Sequence, residues 1–203
     1  MLDYNRMHDE RKSYSPTYTE KKATDVIKES VQQLGGSVLD FGSGSNGSFD
    51  HKRIAIEYYS FDIDRQNSAD YHSLKEIKRN FTTIVFSDVL EHMNRKQIDK
   101  SLAWATNHCE NIVLKIPLIN PLNLGEILCD STHDITSFSL LQSKDLLWRI
   151  ENKLGMKITM YAYSTPISTN PLKLVIQKII AWACNCPRHS DIIIIATNKR
   201  IMR

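Results

Sequence analysis

Cysteine is scarce: Cys109, Cys129, Cys184 and Cys186 are the only four in 203 residues. That is too few for the disulfide framework that small secreted folds use in place of a core. The one close pair, Cys184-Asn185-Cys186 with His189 nearby, lacks the doubled CxxC spacing of a tetrahedral zinc site, so no metal is expected there. Long apolar runs are missing too. Pro171 to Cys186 is the most apolar stretch, and Lys173, Gln177 and Lys178 interrupt it, which argues against a membrane span and stable membrane insertion. Met1 to Tyr18 is polar without an apolar segment, so no secretory signal is expected and a reducing cytoplasm is the expected location. Nor does one sign of charge dominate. The net charge is +3, and its carriers are scattered apart from small basic groups at each end that read as solvated. A dedicated nucleic-acid binder would show a concentrated basic face, so a nucleic-acid partner is not expected.

What remains is ordinary for a soluble globular protein: 41% apolar and 24% charged residues, enough chain for one real core. There is no internal repeat and no low-complexity linker, so residues 1–203 read as a single domain. Residues 1–17 are expected to form a polar N-terminal arm, and residues 165–189 a helical insertion before the last strand. A helix is predicted from Thr19, with Ala23, Val26, Ile27, Val31 and Leu34 at three-to-four spacing and Gly35-Gly36 as its stop. Short apolar or β-branched runs at 37–41, 54–63, 81–86, 111–116, 156–163 and 191–196 read as strands. A very short strand is implied near 69–71. Between strands, 94–108 and 143–154 read as helices, the second capped by Ser143 and stopped by Gly155. Leu172, Val175, Ile176, Ile179, Ile180 and Trp182 give a further apolar helix, expected to pack on the sheet, with a lid over an apolar acceptor or contact with a membrane surface as the alternatives. Strands alternating with helices imply right-handed crossovers and a mainly parallel sheet.

The strongest local signal is Val38 to Gly47 (VLDFGSGSNG), an apolar strand running into Gly42-x-Gly44-x-x-Gly47. Such a turn needs bare backbone so that a nucleoside-bearing ligand can lie against the carboxyl edge of the sheet. Asp62 ends the next strand, 20 residues after Gly42, at the distance from which a carboxylate accepts both ribose hydroxyls. These features alone fit a dinucleotide or S-adenosylmethionine equally well.

Two further segments separate these possibilities. Asp40 directly before the glycine turn resembles the first motif of the class I S-adenosylmethionine-dependent methyltransferases. Phe81 to Met93 (FTTIVFSDVLEHM) is similar to the fourth-strand segment of the small-molecule (type 11-like) group of that superfamily. The resemblance covers roughly residues 37 to 120. It implies a Rossmann-like three-layer αβα sandwich with a mostly parallel seven-stranded sheet and an antiparallel last strand. It also implies S-adenosylmethionine as cofactor. Gly42, Ser43 and Gly44 would pass beneath its methionine and ribose portions, and Asp40 would stand near the methionine ammonium. Asp62 would hold the ribose hydroxyls and Ile63 would pack on the adenine. Tyr71 and His72 fall in the segment that builds the adenine edge, while Ser87 and Asp88 close the methionine end. The charged segment SFDHKR after Gly47 departs from the pattern and implies a short or irregular first helix.

The acceptor is read less directly. His92, and His133 just before the helix that begins near Ser143, are the candidates for the residue that takes the acceptor's proton. Asp88-x-x-Glu91-His92 holds donors compatible with a divalent ion, but Glu91 reads better as a local cap or pair, and no metal is expected. The expected reaction is methyl transfer to oxygen or nitrogen of a small molecule, glycan or lipid intermediate. Alternatives are an RNA or protein methyltransferase, or a degenerate methyltransferase-fold binding module without catalysis. The (N/D/S)PP(Y/F) tetrad of DNA base methyltransferases is replaced by Ser87-Asp-Val-Leu90, and Asp40 disfavours an NAD-dependent oxidoreductase.

Overall fold

A computed structural model describes residues 14–45, 47, 57–119, 128–164, 171–183 and 189–199. A three-residue strand, β1 (Thr17–Thr19), precedes helix α1 (Ala23–Leu34). This helix buries Ala23, Val26, Ile27 and Val31, the stripe that a 3.6-residue turn places on one face. It ends where the Gly35 N–H reaches the Val31 carbonyl at 3.0 Å and Gly35 takes a left-handed φ of 65°. Strands β2 (Ser37–Phe41), β3 (Glu57–Phe61) and β4 (Phe81–Ser87) follow. A capping box opens α2 (Arg95–His108): the Asn94 side chain accepts the Gln97 N–H, and the Gln97 side chain accepts the Asn94 N–H. Strand β5 (Cys109–Pro117) continues directly from it.

Two short helices, α3 (Ile135–Leu141) and α4 (Lys144–Trp148), come next, and α4 runs on as a π-helical turn over Arg149–Lys153. Ser143 caps α4 as expected, accepting the Asp145 N–H. No element was expected in the segment before it. Instead Asp134 caps α3 by accepting the Thr136 N–H, and Phe138 and Leu141 are buried. Strands β6 (Met156–Ser164) and β7 (Asp191–Asn198) flank helix α5 (Pro171–Ala183).

The seven strands form one sheet in the order β1-β6-β7-β5-β4-β2-β3. β2 pairs in parallel with β3 and β4, β4 with β5, and β1 with β6, while β7 is antiparallel to both β5 and β6. The expected mostly parallel sheet with an antiparallel last strand is therefore present. Its membership differs at the edges. The short strand expected near 69–71 shrinks to a single bridge between Phe61 and Tyr71, and β1 supplies the seventh strand at the opposite edge. Within the expected arm of residues 1–17, residues 14–17 are tied to the rest of the fold: the Tyr14 hydroxyl donates to Glu151 at 2.6 Å, and Thr17 pairs with Ala162. A paired edge has fewer open backbone groups, which is the gain in placing β1 there.

Alternation along each strand sends side chains to opposite faces. On one face Val38, Val85, Val113, Ile193 and Ile195 meet α1. On the other, Leu39, Ile84, Phe86, Ile112 and Leu114 meet α2, α3 and α4 through Ile98, Leu102, Leu141, Leu146 and Leu147. The result is the expected three-layer αβα sandwich. Helix α5 departs from expectation: Leu172, Val175, Ile176, Ile179 and Trp182 are exposed rather than packed on the sheet. Both faces of β7 already lie in the two cores, through Ile192 and Ile194 on one side and Ile193 and Ile195 on the other. The SFDHKR segment lies outside the described residues. Among the described residues, no helix is long and apolar enough to cross a membrane.

Candidate active site

The chain leaves β2 for β3 on one side and returns to β4 on the other, so strand order reverses at β2. Crevices beyond the carboxyl ends of strands at such a reversal are where open α/β sheets bind ligands. Gly42 opens the turn there with φ 76°, and its N–H and that of Ser43 both bond the Phe61 carbonyl, at 2.8 and 3.1 Å. A Cβ on Gly42 would lie 2.3 Å from Val89 Cγ2, so the absent side chain is what lets the segment after β4 close against the turn. At Gly44, φ 60°, a Cβ would meet nothing within 4 Å among the described residues, which leave the space above that backbone open. Ser43 is buried, and its hydroxyl has no hydrogen-bond partner among the described residues.

Asp62, at the end of β3, is nearly buried and faces this turn. Its Oδ2 accepts the Gly44 N–H and its Oδ1 the Asp64 N–H, both at 2.8 Å. Each carboxylate oxygen has a second acceptor position, so two hydroxyls of a ligand can still be held. Ile63 beside it is 83% exposed, an apolar side chain left open at the site's rim. The following loop is tied down. Asp70 accepts the Ser60 N–H and hydroxyl at 2.7 and 2.8 Å, Asp62 N–H bonds the Tyr71 carbonyl, and His72 Nδ1 lies 2.9 Å from the Asp62 carbonyl. The Tyr71 ring packs toward Tyr59 and the core, whereas His72 braces the Asp62 backbone.

Asp40 is fully buried, and Tyr58 on β3 donates its hydroxyl to Oδ2 at 2.7 Å. Burial first, then the Asp40 charge, raises the Tyr58 phenol well above its ordinary range, so it stays a donor. Ser87 is buried at the end of β4. Asp88 beyond it takes a left-handed φ of 54°, unusual outside glycine, and forms an ion pair with Lys115. Lys115 also reaches Asp191 at 3.3 Å. Its burial disfavours the charge, but the two carboxylates hold its ammonium above the usual range.

Beyond Asp88, a 3-10 turn at Leu90–His92 carries Glu91 and His92. The Asp134 N–H bonds the Glu91 carbonyl at 2.7 Å and the Ser137 hydroxyl bonds the Met93 carbonyl at 2.6 Å, fastening the start of α3 to this turn. The His92 and His133 rings come together, with centroids 4.7 Å apart. His92 Nδ1 lies 2.8 Å from the Thr132 hydroxyl, which donates to Asp130 Oδ1 at 2.6 Å; His133 Nε2 faces Asp130 Oδ2 at 3.5 Å. Glu91 is buried; its carboxylate accepts its own backbone N–H, and its Oε2 has no partner among the described residues. Burial raises its carboxyl to about 8.

No protein-family model matches this sequence, and no curated protein matches it by sequence. Solved structures do. An S-adenosylmethionine-dependent methyltransferase from Archaeoglobus fulgidus superposes over 97% of this chain and 100% of its own, with TM-score 0.56 and 19% identity. Magnesium protoporphyrin IX methyltransferase from Synechocystis, solved with bound S-adenosylmethionine, matches over 87% and 79%, with TM-score 0.54 and 13% identity. A cyclopropane-fatty-acyl-phospholipid synthase-like protein from Lactobacillus casei matches over 86% and 89%, at 0.53 and 11%. The fold is that of the class I methyltransferases.

Within this methyltransferase fold the residues singled out in the sequence fall into two groups. Asp40, Gly42, Ser43, Gly44, Asp62 and Ile63 gather around the turn between β2 and β3, and Val89 joins them to the segment bearing His92. His133 meets His92. Asp88, by contrast, is turned to Lys115. The turn suits a nucleoside-bearing ligand: it leaves open space at Gly44, free lone pairs on Asp62, an unpartnered Ser43 hydroxyl and an exposed apolar side chain at Ile63. Sequence reasoning did not find Tyr58, Lys115, Asp130 or Thr132. Asp130 and Thr132 adjoin His133, and an Asp-x-Thr-His run was the available signal.

Proposed function

We propose that the chain, as a single domain, is an S-adenosylmethionine-dependent methyltransferase. In this reading it transfers a methyl group to oxygen or nitrogen of a small-molecule, glycan or lipid-intermediate acceptor. The observation that carries the reading is the bond from the Gly44 N–H to Asp62 Oδ2. It sets a carboxylate with spare acceptor positions directly beside bare glycine backbone, at the point where strand order reverses. When bound, S-adenosylmethionine supplies a sulfonium methyl open to in-line displacement.

The chain's own residues then have separate tasks. Asp62 accepts the ribose hydroxyls, and Ile63 lies against one face of the adenine with Tyr71 and His72 near its edge. Gly42, Ser43 and Gly44 run beneath the methionine and ribose portions, and the Ser43 hydroxyl gains a partner. Asp40, held by Tyr58, stands toward the methionine ammonium, with Ser87 and Asp88 at that end. His92 and His133 occupy the acceptor side, where a proton must leave an alcohol or amine as it is methylated. Holding the acceptor in line with the methyl supplies much of the remaining rate. The outward apolar stripe of α5, in the connection leaving β6, favours an amphiphilic acceptor among these classes.

Calorimetric titration of the purified chain with S-adenosylmethionine and its demethylated product tests the reading. Micromolar binding that Asp62→Ala abolishes, with no response to NAD, is expected. A folded chain that binds neither compound would overturn it.

A further inference from the structure

Glu91, His92 and His133 each present a ligand atom within 4.8 Å of the other two. They come from separate parts of the chain, the turn after β4 and the loop before α3, which the Asp134–Glu91 backbone bond holds together. Three observations set this cluster apart from a chance meeting of polar side chains.

The first is Glu91 itself. It is 1% exposed, and its Oε2 has no hydrogen-bond partner among the described residues. A buried carboxylate oxygen left this way is unfavourable unless a proton or a cation joins it. The second is the state of His92. The Thr132 hydroxyl has one proton and gives it to Asp130, which as a carboxylate only accepts. The contact between His92 and Thr132 must therefore run from Nδ1–H to the hydroxyl oxygen. That assigns the lone pair of neutral His92 to Nε2. The third is Asp130, whose Oδ2 also lies 3.5 Å from His133 Nε2. One carboxylate thus stands beside both imidazoles, in an ion-pair contact with one and joined to the other through a hydroxyl. Outer carboxylates fix the tautomers of metal-binding histidines in this way.

We propose that Glu91, His92 and His133 bind one divalent first-row transition-metal ion, with Asp130 as the outer carboxylate. Two imidazole nitrogens and one carboxylate oxygen are a donor set suited to zinc and to ferrous iron, and three protein ligands leave coordination positions open to an oxygen donor. Metal–ligand bonds of about 2.0–2.2 Å bring ligand atoms to about 3–4 Å from one another, a contraction that rotation of the exposed His92 can supply. The open positions face water or an acceptor hydroxyl. The binding site stands on its own geometry; only its use in methyl transfer rests on the function proposed above.

The test uses the full chain, stripped with chelator and titrated with zinc chloride, bound metal being measured by calorimetry and by elemental analysis after gel filtration. One equivalent of zinc is expected, with affinity at least tenfold weaker in His92→Ala, in His133→Ala and in Glu91→Gln. Circular dichroism checks the fold of each variant. Should the buried positions fail to fold when substituted, the exposed His92 decides the outcome alone. Substoichiometric zinc on the folded wild-type chain would overturn the site, and so would full zinc retention by His92→Ala. S-adenosylmethionine is titrated into the same samples. Zinc binding without cofactor binding upholds the metal site and overturns the function; cofactor binding without zinc does the reverse.

Discussion

Gly42 and Gly44 share a left-handed backbone but differ in what surrounds them, and that difference separates stability from binding. An alanine at Gly42 would be strained at φ 76° and would press into Val89. Strain of that kind costs about 1–3 kcal/mol before the contact is counted. Gly42→Ala is expected to lower the melting temperature markedly and, by pushing the Val89 segment away, to weaken S-adenosylmethionine binding. Gly44→Ala has open space for its methyl group and carries the backbone strain alone. It should lose less stability, yet its methyl fills the space assigned to the ligand. Melting curves read beside calorimetry distinguish these outcomes. Glu91 offers a second test. Burial, with the Asp88 charge adding, moves its carboxyl from 4.5 to about 8. Between those values the folded chain keeps a proton that the unfolded chain has released, so this group's contribution to stability falls as pH rises from about 4.5 to 8. In metal-free protein Glu91→Gln should flatten that decline and melt higher than wild type at pH 8. A parallel pH profile for the two proteins would contradict the burial argument.

At the scale of elements, the helices whose ends are written into adjacent residues form where the sequence puts them. The α2 box between Asn94 and Gln97 is local and exposed, so Asn94→Ala should cost about 1 kcal/mol. Because the box closes within the first turn of α2, cofactor affinity should stay unchanged, a combination that melting and titration reveal together. The end of α1 and the starts of β2 and α4 were readable for the same reason, a cap or a glycine stop within or beside the element; the start of α1 was not, for it begins at Ala23 without a side-chain cap, and Thr19, where the helix was expected to begin, belongs to β1. Strand β1 was not, since Thr17-Tyr18-Thr19 carries no apolar alternation and becomes a strand only because the β6 edge is there to pair with. Helix α3 is seven residues long, too short for its periodicity to stand out. The apolar stripe of α5 was readable as a helix, but its direction depends on whether the sheet still has an uncovered face, and β7 has none.

For the whole molecule, ligand binding and folding are linked. Free S-adenosylmethionine at 100 times its dissociation constant adds about 2.7 kcal/mol to the folded state. For a chain of this size that corresponds to a melting temperature about 5–10 °C higher. Asp62→Ala should show no such rise, and neither protein should respond to NAD. An equal shift in both proteins would place the ligand somewhere other than the turn between β2 and β3.

Taken by itself, the sequence determined the alternation of strands and helices, the glycine turn before Asp62 and the order of the two motifs around β2 and β4. These are consequences of local spacing, and backbone conformation at Gly42 or a cap at Ser143 depends on few neighbours. Only the tertiary structure decided which polar groups face one another. Asp88 belongs with Lys115, Tyr58 with Asp40, and Thr132 with His92 across 40 residues of chain. It also decided that Glu91 is buried with its Oε2 unpartnered among the described residues. Such pairings follow from sheet order and from the docking of α3 against the turn after β4, and no spacing along a single chain encodes a distance between segments that folding alone brings together.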